Sequence, residues 1–99
     1  MTYEIENIDK GIKVKVEGRI DNNTTPELED ALMPRVDSID ELILDFENLQ
    51  YISSAGLRLL LMLQKKMQSA NKKFLIKNVN DFVMQVFEIT KFRKILTIE

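Results

Sequence analysis

Residues 42–61, LILDFENLQYISSAGLRLLL, change from one periodicity to another within a single short span. Leu42, Ile43 and Leu44 are consecutive apolar residues, with Phe46 following. Both faces of this segment therefore require burial, as in a strand in the middle of a sheet covered by helices. From Ser54 onward the period becomes helical. Leu57, Leu60, Leu61 and Met67 fall roughly along one face, with Leu59 and Leu63 widening it, which predicts a helix from Ser54 to about Ser69. The leucine stripe reads as a core helix packed on a sheet, ahead of a dimerisation surface, because so small a domain has to bury it. Arg58, Lys65 and Lys66 then belong to the solvated side.

The flanks extend this to a whole chain. TYEIENI alternates Tyr3 and Ile5 and predicts a short strand; GIKVKVEGRI places Ile12, Val14 and Val16 on one face and Lys13, Lys15 and Glu17 on the other. The intervening DKG predicts a hairpin turn, with Gly11 free to take positive φ. DNNTTPELEDALMPRV predicts a helix capped by Thr25, with Pro26 at its first position and Leu28, Ala31, Leu32 and Val36 buried. Pro34 is expected to kink it or end it early. KFLIK predicts a strand, NVNDFVMQVFEIT a helix capped by Asn80 that buries Phe82, Val83, Val86 and Phe87, and KILTIE a last short strand. The order is β-β-α-β-α-β-α-β: an α/β domain with a mixed β-sheet and an N-terminal hairpin, residues 1–99 forming one domain.

Composition removes several classes of function. The chain has 99 residues, 44% of them hydrophobic, enough for one modest core. Fourteen basic and 16 acidic residues give a net charge of −2, with no electrostatic footprint for nucleic acid and no polybasic membrane patch. Cysteine and histidine are both absent, which excludes disulfides, Cys/His zinc sites and every catalytic device built on an imidazole. The N-terminus has no apolar signal-peptide core, and LRLLLML is too short to span a bilayer, so a soluble cytoplasmic domain is expected.

In sheets of this kind binding surfaces gather where strands hand over to helices. Two such junctions stand out, RIDNNTTP and NLQYISSAG. At the second, a helix beginning at Ala55 would be capped by Ser54, and the small residues Ser53, Ser54, Ala55 and Gly56 would leave its N–H donors accessible. A P-loop is not supported, since its glycine-rich run and lysine are missing, and SSAG is not the G-x-S-x-G of a hydrolase. At the first, Asp21, Asn22 and Asn23 read as turn chemistry, or as a polar ledge from which Asp21 contacts a partner or positions the serine.

Taken together, GRID at the close of the second strand, LILDFENLQYISSAGLRLLL and KFLIKNVNDFVMQVFEIT resemble a STAS domain of the anti-sigma factor antagonist family over nearly the whole length. The resemblance implies a regulatory protein, not an enzyme, without cofactor or metal. It implies a cytoplasmic partner switch. The unmodified protein binds an anti-sigma factor that is itself a serine kinase using ATP, which releases a sigma factor; phosphorylation of one serine ends the interaction, and a serine phosphatase restores it. The family's phosphorylated serine matches Ser54, and its aspartate on the kinase-facing surface matches Asp21. Ser53 stands where several members have Asp, and Ala55 where they often have Ser or Thr. The expected partner surface comprises Asp21, Asn22, Asn23, Ser53, Ser54, Ala55, Gly56 and Arg58, on a monomer or weak dimer that touches neither nucleic acid nor membrane. Two alternatives keep the fold and change the function: a STAS scaffold subunit without a switch, and a nucleotide-sensing STAS module.

Overall fold

The computed structural model describes residues 1–99. Strands β1 (Thr2–Ile8) and β2 (Gly11–Ile20) form the antiparallel hairpin, followed by helix α1 (Thr25–Leu32) and a 3-10 segment, Met33–Ser38. Strands β3 (Glu41–Asp45) and β4 (Leu49–Ile52) lead to helix α2 (Ser54–Ser69), and strand β5 (Lys73–Lys77) to helix α3 (Asp81–Ile89). The sheet runs β1-β2-β3-β5, with β2, β3 and β5 parallel.

β4 is an addition to the expected order. β2 is long enough to serve two partners: Gly11–Lys15 pairs with β3, and Gly18–Ile20 pairs in parallel with β4. The register shifts between Gly18 and Arg19, and Gly18 carries the positive φ, 89°, that such a bulge favours in glycine. Gly11, expected to turn the hairpin with positive φ, does not have it; a Cβ there would lie 1.8 Å from the Glu41 carbonyl oxygen, so this glycine permits the close start of the β2–β3 pair. The expected last strand contracts to a single bridge between Ile76 and Ile98.

Alternation along the strands sorts side chains to two faces. Ile12, Val14 and Val16 of β2, Leu42 and Leu44 of β3, and Phe74 and Ile76 of β5 join one cluster of 22 buried residues with Leu28 and Leu32 of α1, Leu59, Leu60 and Leu63 of α2, and Val83 and Phe87 of α3. All three helices thus pack on one face. Ile43 and Leu75 are buried outside that cluster, on the opposite face, where their row of the sheet continues into Lys13 and Glu6. The expectation of a sheet covered by helices on both faces is corrected on this point. α1 ends just before Pro34, as its ring requires. Phe82, expected inside, is 49% exposed, because α3 turns Val83 and Phe87, four residues apart, onto the sheet. Ala31, Leu61 and Val86 are only half-buried. Burying a side chain such as Phe87 or Leu28 contributes about 1.5–3 kcal/mol.

The loops that carry β4 into place are fastened by polar contacts. Asp45 is buried; its Oδ1 accepts from the Glu47 N–H and from Asn78 Nδ2, both at 3.0 Å, and Lys13 Nζ lies 3.8 Å from Oδ2. Burial pushes this carboxyl up, but the Asn78 and Glu47 donors, with Lys13 and Lys15, hold it below the usual aspartate value. Asn80 caps α3 by accepting from Val83 N–H at 2.9 Å, and its Nδ2 donates to the Leu49 carbonyl at 2.6 Å.

Candidate functional site

Because β4 lies parallel beside the end of β2, the two strand-to-helix junctions emerge side by side. Ser53 N–H donates to the Ile20 carbonyl at 2.8 Å, a direct clasp between the RIDNN and YISSAG segments. That bond holds Ser53 in extended conformation, with φ −90° and ψ 175°, as the last residue outside the helix. Ser53 is therefore the N-cap, its Oγ accepting from Gly56 N–H at 3.3 Å. The expected cap, Ser54, is instead the first helical residue. It is exposed, and its hydroxyl makes no hydrogen bond within the protein. The same one-residue correction applies at α1, where Thr24 and not Thr25 occupies the cap position. Thr25 is buried, its Oγ1 donating to the Asp21 carbonyl at 2.7 Å.

Asp21 organises its own turn. Its Oδ1 accepts from the N–H groups of Asn23 at 2.9 Å and Thr24 at 3.0 Å, while Thr24 Oγ1 lies 2.9 Å from the Arg19 carbonyl. These donors, the Thr24 N–H foremost, draw its pKa below the ordinary aspartate value against a smaller opposing effect of desolvation, so it is ionised at neutral pH. The Asx-turn reading of this residue is thereby realised; no hydrogen bond joins it to Ser54. Arg19 stacks over the Tyr51 ring, 4.2 Å from its centroid, on neighbouring strands just below both junctions.

An open groove of ≈ 440 Å³ lies between α1 and α2. One wall is Asn22, Thr25, Pro26 and Glu29; the other is Ser54, Ala55, Arg58 and Met62, with the buried Leu59 beneath. Of the residues singled out from sequence, Asn22, Ser54, Ala55 and Arg58 meet here. Asp21, Asn23 and Ser53 flank the groove without lining it. Gly56 is not a surface contact: it is buried, and a Cβ on it would lie 2.7 Å from both Ile20 Cγ2 and Ile52 Cγ1. Its role is the close seating of the α2 N-terminus on the ends of β2 and β4. Sequence reasoning missed Thr25, Pro26, Glu29 and Met62 as groove residues. Their signal was helical spacing, since 25, 26 and 29 share one face of α1, just after the turn that carries Asn22, as 54, 55, 58 and 62 share one face of α2. No group of three His, Cys, Asp or Glu side chains converges anywhere in the fold, and no helix is long and apolar enough to cross a membrane.

The site is thus a helix-start serine beside an Asx turn, on a mixed sheet with all its helices on one face, which is the architecture of a small α/β domain. Residues 5–97 match the family model described as Mlab, STAS domain, and the chain belongs to the STAS domain family. It is 34% identical over 97 residues to the anti-sigma-B factor antagonist of Staphylococcus aureus strain NCTC 8325, covering 97% of this chain and 90% of that protein. An anti-sigma factor antagonist from Mycobacterium paratuberculosis is similar in structure, with a TM-score of 0.88 and 26% identity over 98% of this chain and 83% of that one. The anti-sigma factor antagonist SpoIIAA in its unphosphorylated form shares the fold, with a TM-score of 0.85 at 15% identity, covering 99% of this chain and 88% of that one. Phosphorylated SpoIIAA from Bacillus shares it too, with a TM-score of 0.79 at 14% identity over 99% and 91%. Anti-sigma factor antagonists of the STAS family are regulatory binding proteins and not enzymes.

Proposed function

We propose that this chain, acting as one STAS domain over residues 1–99, is a cytoplasmic anti-sigma factor antagonist switched by phosphorylation of Ser54. The observation that carries the reading is the division of labour between the two serines. Ser53 caps α2, while Ser54 is exposed with its hydroxyl uncommitted. A kinase can take Ser54 without dismantling the helix start. The unmodified surface around Ser54, with Ala55, Arg58, Asn22, Asn23 and the ionised Asp21, docks on an anti-sigma factor that is also a serine kinase.

In the modifying step the Ser54 oxygen bonds to the γ-phosphorus of ATP held by that partner. The hydroxyl proton leaves to a base of the kinase and ADP departs. A phosphatase reverses the modification with water, returning the hydroxyl and inorganic phosphate. The phosphate brings about −1.5 to −2 charges at neutral pH. The N-terminus of a helix tolerates that charge, so the domain stays folded. A docked partner does not, because the dianion must be stripped of water and buried. Moving a partner from nearly full to nearly empty occupancy requires a differential of roughly 5.5 kcal/mol. A rearranged surface ion pair supplies at most about 1 kcal/mol, so the phosphate has to lie inside the contact.

Incubation with the cognate anti-sigma kinase and ATP, followed by fragment mass spectrometry, tests the reading. Phosphate on Ser54 and none in the Ser54→Ala variant is expected. Phosphate confined to Ser53, or an unmodified chain that binds the kinase and is never phosphorylated, would overturn it.

A further inference from the structure

The partner-switch reading leaves open what receives the phosphate, and the inference below rests on that reading. Ser54 and Arg58 lie four residues apart on α2, both exposed and both on the same groove wall. That spacing sets their Cβ atoms about 5–6 Å apart on one helix face. Helical side chains lean toward the N-terminus of their helix, so Arg58 is directed back over the turn that Ser54 begins. Arg58 is also uncommitted. None of the five ion pairs in the molecule includes it. Its guanidinium donates no hydrogen bond, whereas Arg35 and Arg93 donate to Ala31 and Glu88, and Arg19 is stacked on Tyr51. The other basic residues of α2, Lys65 and Lys66, lie two turns or more further along, and Lys66 is paired with Asp37. Across the groove the charged residue is Glu29, which a phosphate would repel.

We propose that Arg58 is a built-in receptor for the Ser54 phosphate. When the phosphate arrives, the guanidinium closes on it within the same helix. The switch then acts twice on a docked partner: it adds a dianion, and it withdraws the one free cation from the groove. Arg58 is a positioning residue in this scheme and takes no part in the phosphoryl transfer.

The test needs neither kinase nor partner. Phosphoserine is installed at position 54 during synthesis, and its second ionisation is followed by phosphorus NMR in the wild type and in Arg58→Ala and Arg58→Lys. The Ala variant is expected to raise that pKa by about 0.2–0.4 unit, the size of an exposed i,i+4 ion pair, with Lys falling between. The Arg58 Nε–H resonance should also move between the unmodified and phosphorylated wild type, which a merely structural arginine would not show. Coincident titrations with an unmoved Arg58 resonance would overturn the proposal while leaving Ser54 as the switch. Failure of a kinase to modify Ser54 would instead remove the switch and leave the pairing measurable.

Discussion

Replacing Ser53 by alanine separates the roles of the two serines. The perturbation removes the Oγ that accepts from Gly56 N–H and leaves that donor without a protein partner at the start of α2. Capping hydroxyls contribute about 0.5–2 kcal/mol. At 3.3 Å this bond is longer than the usual 2.9–3.0 Å, which places it in the lower half of that range, about 0.5–1 kcal/mol. With an unfolding entropy of about 2.1 cal/mol/K per residue, a chain of 99 residues should lose about 2–5 °C in Tm. Urea unfolding followed by far-UV circular dichroism gives the free energy, and calorimetry gives Tm. Ser54→Ala, which removes a hydroxyl that bonds to nothing inside the protein, should stay within about 0.5 kcal/mol of wild type. Ser53→Asp should keep the cap. Equal losses in Ser54→Ala and Ser53→Ala, or no loss in Ser53→Ala, would rule out Ser53 as the cap that holds the start of α2.

Gly56→Ala should gain up to about 1 kcal/mol of helix propensity and lose about 1–3 kcal/mol to overpacking against Ile20 and Ile52, so that the propensity gain does not appear and stability falls by up to about 2 kcal/mol in urea unfolding; a midpoint raised by the full propensity gain would contradict the close seating of α2. Asp45 has a folded-state pKa below its unfolded one, so its contribution to stability is complete above the unfolded value, near 3.9, and is lost as pH falls through the folded value. Asn78→Ala removes a donor to that carboxylate and should raise its pKa in a carbon-detected NMR titration, so that acid unfolding begins at higher pH; an unmoved Asp45 resonance would contradict the stitch between the two loops.

Much of this architecture can be read in the sequence, because buried runs and alternation report burial directly. The segment Leu42–Leu44 gives the central strand, Ile12–Val16 the hairpin, and Asn80 the start of α3. What escapes is decided by tertiary contact. β4 has four residues, two of them buried, and becomes a strand only because β2 runs on past its Gly18 bulge to pair with it. Thr24 and Thr25, like Ser53 and Ser54, offer the same capping chemistry at adjacent positions. At α2 the choice falls to the Ser53–Ile20 backbone bond, a contact thirty-three residues apart in sequence that no local pattern encodes. The groove was half legible: Ser54, Ala55, Arg58 and Asn22 stand out as chemistry, whereas Glu29 and Met62 reach it only through helical phase.

In the proposed switch a phosphate on Ser54 ends partner binding. Titration calorimetry of the cognate anti-sigma kinase with unmodified protein and with protein carrying phosphoserine at position 54 compares the two states. The modified form is expected to bind about 10⁴-fold more weakly with its fold unchanged, the ratio needed to empty a nearly full complex. Equal affinity of the two forms would contradict it.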